Sequence, residues 1–142
     1  MLRYEIEKQL FNGELEVDDL PTAWNTMFKS WFDIEVPEDR LGCLQDIHWS
    51  MGAFGYFPTY TLGNLYAAQL LEAMAEDLGD VDDMVASGNW QPMLEWLRPR
   101  IHQRGSQVSP AKLIEDATGA PPSPEPFLRY VERKYGALYQ LG

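Results

Sequence analysis

Residues 21–32 read Pro21-Thr22-Ala23-Trp24-Asn25-Thr26-Met27-Phe28-Lys29-Ser30-Trp31-Phe32, and the spacing of their large apolar side chains decides the fold. Trp24, Met27, Phe28, Trp31 and Phe32 fall at i, i+3, i+4, i+7 and i+8, the period of one helical face. Pro21 suits a first helical position, because the N–H it lacks has no intrahelical partner there. The pattern predicts a core-facing helix rather than an aromatic ligand box, ended by Pro37.

Outward from this stripe, Leu2, Ile6 and Leu10 stand four apart and predict a first helix over residues 1–12, stopped by Gly13. No Ser, Thr, Asp or Asn precedes Leu2 to cap the free amides. Either that end frays or the chain lacks sequence that once came before it. Glu14 to Asp19 reads as a polar connection. Gly42 to Tyr60 shows no period, and it gathers Trp49, Phe54, Tyr56, Phe57 and Tyr60 around Gly42, Gly52, Gly55 and Pro58.

From Thr61 a further helix is expected, with Leu62, Leu65, Tyr66, Leu70, Ala73 and Met74 inward, Gln69, Glu72 and Glu76 outward, and Gly79 at its end. Asp80 to Asn89 reads as an acidic connection. Trp90, Met93, Leu94 and Leu97 mark a short helix interrupted near Pro99. Ser109-Pro110 is an N-cap with a first-turn proline, opening a helix that Gly119 stops. After the prolines 121, 122, 124 and 126, a last helix is expected to bury Phe127, Val131, Tyr135 and Leu138 and to keep Glu132, Arg133 and Lys134 wet. Strand alternation and internal repeats are absent. The expected fold class is all-α, as a single helical domain over residues 1–142.

The 142 residues are 45% hydrophobic and 23% charged, the balance of a globular domain. Twenty-two acidic against eleven basic side chains give a net charge of −11, a field that repels phosphate backbones and anionic lipid, so neither nucleic acid nor membrane is an expected partner. Lys and Arg are absent between Arg40 and Arg98, which makes the middle of the chain acidic. A single cysteine, Cys43, forms no internal disulfide and suits a reducing compartment; the expected location is cytoplasmic. No run approaches eighteen consecutive apolar residues.

The side chains narrow the chemistry. A zinc hydrolase site needs two or three imidazoles or carboxylates converging on the ion. Only His48 and His102 are present, without a His-Glu-x-x-His helix, so no metal site is expected. Cys43 with His48 lacks a spacing that aims the ring at the thiol, and a small buried hydrophobe is the plainer reading of the cysteine. No Gly-x-Ser-x-Gly elbow or phosphate-binding glycine loop occurs. The run Glu76, Asp77, Asp80, Asp82, Asp83 does not place oxygens as an EF-hand loop does, and it reads as solvated. What remains is Gly42-Cys-Leu-Gln45-Asp46-Ile-His48-Trp49. An aspartate two residues before a histidine can hold the imidazole tautomer in a hydrolytic cleft. On the residues alone the plainer reading is a hydrogen-bonded polar cluster that pins an irregular loop onto the core.

Gly42-Cys-Leu-Gln-Asp-Ile-His-Trp49 resembles the Gly-x-x-Gln-Asp-x-His-Trp signature of the carboxypeptidase Taq family, the thermostable zinc metallocarboxypeptidases. Its continuation, Gly52-Ala-Phe-Gly-Tyr-Phe-Pro-Thr-Tyr-Thr-Leu-Gly-Asn64, is similar as well, and the likeness runs from Met1 to Leu141 in register with the family's C-terminal end. The resemblance implies an all-helical, groove-containing peptidase that removes residues singly from peptide C-termini, generally as a homodimer. Zinc would sit on a His-Glu-x-x-His helix and a further glutamate. Those elements, and the Ile-Arg-x-x-Ala-Asp signature, precede the region represented here. The chain therefore looks like the C-terminal part of such an enzyme, inactive alone and without bound zinc. Gln45, Asp46, His48 and Trp49 would line or brace the groove wall as substrate-binding residues. Tyr56 or Tyr60 would contact substrate or donate to the oxyanion. The alternative is a non-catalytic helical assembly or peptide-binding module derived from such a peptidase.

Overall fold

The computed structural model describes residues 1–141. It is helical, with no strand among the described residues, and its contacts divide it into two compact units, Met1–Thr61 and Leu62–Gly142.

The first unit opens with α1 (Leu2–Phe11), whose stripe buries Leu2 and Ile6 as its spacing predicts. Met1 stands at its N-cap and provides no side-chain cap. A short 3-10 turn, Val17–Asp19, leads into α2 (Leu20–Phe32). The apolar face of α2 is buried only in its first half. Trp24 is 1% exposed, whereas Trp31 is 46% and Phe32 52% exposed. The helix also ends before Pro37. Asp33 takes the left-handed conformation at φ 55° and donates its N–H to the Lys29 carbonyl at 2.9 Å. A short polar side chain tolerates that conformation. The Lys29 ammonium then holds the Asp33 and Glu35 carboxylates at 2.9 and 3.2 Å.

Leu2, Ile6, Trp24 and Cys43 form the core of this unit. Burying an indole contributes roughly 4–6 kcal/mol at ~25 cal/mol per Å². The Trp24 Nε1–H finds no acceptor among the described residues, which costs about 1–3 kcal/mol, so burial of the ring outweighs the orphaned donor.

The second unit carries most of α3 (Pro58–Leu78), then α4 (Val81–Ser87), α5 (Gln91–Leu97), α6 (Pro110–Thr118) and α7 (Glu125–Tyr139). Several expectations are corrected here. The third helix begins at Pro58 rather than Thr61, with proline at its start, and Leu62 is exposed.

Gln69, expected outward, is 5% exposed. Its Nε2 donates to Thr118 Oγ1, the Ala120 carbonyl and the Pro121 carbonyl at 3.0–3.1 Å, while its Oε1 accepts the Ser123 N–H at 3.1 Å. The proline-rich connection after α6 cannot pair its own carbonyls, and the glutamine amide supplies the missing donors.

The acidic connection contains α4. The Asp80 side chain caps it by accepting the Asp83 N–H at 2.9 Å, and Asp82 and Asp83 lie in its first turn, where the helix dipole favours negative charge. Finally, Trp96 rather than Trp90 is the buried indole of α5, and Tyr135 and Leu138 of α7 are exposed. Trp96 donates Nε1–H to Asp77 at 2.7 Å and lies under the Arg100 guanidinium, in a core with Met74 and Val81. Pro99 falls in a π-helical turn, Arg98–His102, that continues α5. The Ser109 cap and the Gly79 and Gly119 stops stand where the sequence placed them.

Candidate functional site

The signature loop starts where a side chain has no room. A Cβ on Gly42 would lie 2.7 Å from Val36 Cγ1 and 3.3 Å from the Trp24 ring, so only glycine lets the backbone pass this close to the core. Beyond it the chain is a series of turns rather than a helix. Asp46 Oδ1 accepts the His48 backbone N–H at 3.2 Å, an Asx-type turn that returns the aspartate toward its own histidine. The same oxygen lies 3.1 Å from His48 Nδ1, and Arg3 of α1 approaches Asp46 Oδ2 at 2.7 Å. Burial works against ionisation of Asp46. The His48 amide, the His48 ring and the Arg3 charge outweigh it and hold the carboxyl below its ordinary value.

An ionised carboxylate only accepts, so His48 Nδ1 carries the proton and donates to it. In the neutral imidazole Nε2 is then the acceptor, and the Tyr60 hydroxyl lies 3.2 Å away to donate to it. Partial desolvation, the neighbouring Tyr56 phenol and the Asp46 charge raise the Tyr60 pKa, which keeps that hydroxyl protonated as a donor.

Aromatic rings surround the imidazole. Tyr56 stacks on it with centroids 5.5 Å apart at 29°, Phe57 tilts against it at 4.6 Å, and Tyr60 meets it edge-on at 6.1 Å. Tyr56 and Tyr60 are exposed on their outer sides. The start of α3 at Pro58 puts Tyr60 in the first turn of a helix, and this fixes where its phenol points.

Of the residues read from sequence, the structure brings Asp46, His48, Tyr56 and Tyr60 together. Trp49 faces the other way. Its indole packs edge-on against Trp24 at 6.1 Å and donates to Glu7 Oε1 at 2.8 Å, so it braces the loop from beneath. Gln45 is exposed, and its side chain forms no hydrogen bond among the described residues.

Two contributors were missed, both on α1. The Arg3 guanidinium lies 4.9 Å from the Trp24 and Phe57 ring centroids while it pairs with Asp46. Glu7, only 3% exposed, accepts from Trp49 and from the Gly55 N–H. A charged pair at i and i+4 beside the buried stripe of α1 was the available signal.

A metal ion has no holder here. No three His, Cys, Asp or Glu side chains converge among the described residues. Both nitrogens of His48 are engaged, and burial, with Asp39, pushes the Cys43 thiol up. The residues present do not fit a catalytic metal.

The profile of the Carboxypeptidase Taq (M32) metallopeptidase family matches residues 1–135. The chain belongs to this family. It is 48% identical over 139 residues to thermostable carboxypeptidase 1 of Thermus thermophilus, covering 98% of this chain and 27% of that protein. Against carboxypeptidase 1 of Bacillus subtilis the identity is 42% over 141 residues, covering 99% of this chain and 28% of the relative. The crystal structure of the M32 carboxypeptidase from Deinococcus radiodurans superposes with a TM-score of 0.92 at 34% identity, over 99% of this chain and 28% of that one. The chain thus spans 27–28% of the length of the curated M32 relatives it matches.

Proposed function

We propose that this chain forms one wall of the substrate groove of a zinc metallocarboxypeptidase that releases residues from peptide C-termini. In this reading the metal ligands and the general base come from protein outside these residues, and the isolated chain does not hydrolyse peptides. The observation that carries it is His48, fixed between Asp46 and the Tyr60 hydroxyl with two phenols on its exposed side. Such a surface offers directional donors on an aromatic bed, which suits a peptide terminus with its carboxylate and carbonyl oxygens.

The two tyrosines divide the work. While His48 is neutral, the Tyr60 O–H is committed to Nε2. The Tyr56 hydroxyl neighbours that of Tyr60, and with Tyr56 47% exposed its phenol is the one offered to a substrate oxygen.

The test has two arms. The isolated chain with added zinc is expected to show no release of C-terminal residues and no stoichiometric metal. Within a complete M32 carboxypeptidase carrying these residues, Tyr56→Phe is expected to lower kcat/KM by about 100–1000-fold, the range for loss of one donor to developing charge. Tight zinc with turnover in the isolated chain, or an unchanged kcat/KM in both Tyr56→Phe and His48→Ala, would overturn the reading.

A second reading, a helical assembly module that self-associates, is favoured by the exposed Trp31, Phe32 and Ile34. Light scattering across a concentration series separates the two, since a strict monomer leaves this reading without support.

A further inference from the structure

Glu7 is a carboxylate buried on α1 with no basic side chain among its hydrogen-bond partners. Its oxygens are divided. Oε1 accepts the Trp49 indole N–H at 2.8 Å, and Oε2 accepts the Gly55 N–H at 3.2 Å. Trp49 is the residue directly after His48, and Gly55 the one directly before Tyr56. Gly55 stands at φ +71°, a conformation that aims its N–H back toward α1 and that other residues adopt only under strain. A single rigid group on the helix therefore measures off both sides of the His48–Tyr56 stack. Burying an ion here is costly, and a neutral side chain could fill the same space. Its two charge-assisted bonds give a fixed spacing that an apolar contact would not.

We propose that Glu7 is a positioning residue, whose divided carboxylate sets the distance between the signature loop and the turn carrying Tyr56 and so keeps the phenol face-on to His48. The proposal rests on the groove-wall reading above for its functional meaning, but its geometry is testable without substrate.

Glu7→Gln keeps the size and leaves one acceptor for two donors. The oxygen turns to one of them, and the amide NH2 faces the other. Because the Trp49 bond is the shorter, Gly55 is the one left opposed. In the 142-residue chain, NMR is expected to show Gly55 amide exchange accelerated by about 10-fold or more, the scale of an orphaned donor. The His48–Tyr56 inter-ring NOEs are expected to fall along with it. Adding Trp49→Phe removes the competing donor, lets the glutamine oxygen return to Gly55, and restores both signals toward wild type.

Wild-type Gly55 exchange and inter-ring NOEs in Glu7→Gln would overturn the proposal. So would a loss spread evenly over the amides of α1 and α2, since that marks a purely structural role. Should the ring signals respond as expected while His48→Ala leaves kcat/KM of the full-length peptidase untouched, the positioning stands and the groove-wall reading fails.

Discussion

The two compact units use buried polar side chains for opposite ends. In Leu62–Gly142 the buried Gln69 spends its hydrogen bonds on the backbone of a proline-rich connection and on the Thr118 hydroxyl at the end of α6, and everything it touches is thereby finished. In Met1–Thr61 the charged groups of α1 reach side chains that are not finished. Arg3 and Glu7 hold Asp46 and Trp49, and these flank an imidazole whose last acceptor site ends at an exposed phenol. A satisfied network that closes on backbone maintains a fold. One that terminates at a solvent-facing donor has something left to offer a ligand.

Four measurements sharpen or break this contrast. Trp24→Ala should cost the most, about 3–5 kcal/mol from lost burial and the cavity left behind. Amide exchange should show α1 and α2 losing protection while the Met74, Val81 and Trp96 cluster keeps its own; equal loss in both units would erase the distinction between them. Gln69→Ala should follow, at about 1–3 kcal/mol for the groups it orphans, read as a lower denaturant midpoint with Ser123 exchange accelerated and the His48 ring signals unchanged.

Acid provides the third. The Asp46 carboxyl is held below its ordinary value, so its stabilisation is fully present above the unfolded value of about 3.9 and is lost as pH falls through the folded one. Below about pH 4 the 46–60 loop should loosen, followed by its amide exchange, and Asp46→Asn should blunt that dependence. Smallest of all is Glu72→Gln. It removes the exposed Arg129 pair at 2.7 and 3.0 Å and should leave the melting temperature within error, because exposed pairs contribute little.

Much of the helical framework was legible because its signals are local. The Leu2, Ile6, Leu10 spacing, the Ser109-Pro110 start and the Gly119 stop each depend on residues a turn away, and each stands in the structure. The errors share a different cause. Periodicity carried the α2 stripe through Trp31 and Phe32, but which turns of a helix are covered is decided by distant chain. Gln69 looked like a surface residue because the carbonyls that bury it come about fifty positions later. In the candidate site, Asp46 and His48 could be paired on paper through their i, i+2 relation. Their supports on α1 could not, for Arg3 and Glu7 are separated from their partners by more than forty residues.

Arg3 has a consequence for traffic toward the ring. The molecule as a whole carries −11 and should turn away other anions. At His48, however, the nearest carboxylate is met by a guanidinium at 2.7 Å that itself lies 4.9 Å from one indole, Trp24, and one phenyl ring, Phe57. Seen from a few ångströms off, that couple is nearly electrically silent. More distant acidic groups fade over a screening length of about 8 Å in physiological salt. On the groove-wall reading proposed above, a negatively charged chain end would meet less repulsion on this face than over the rest of the surface.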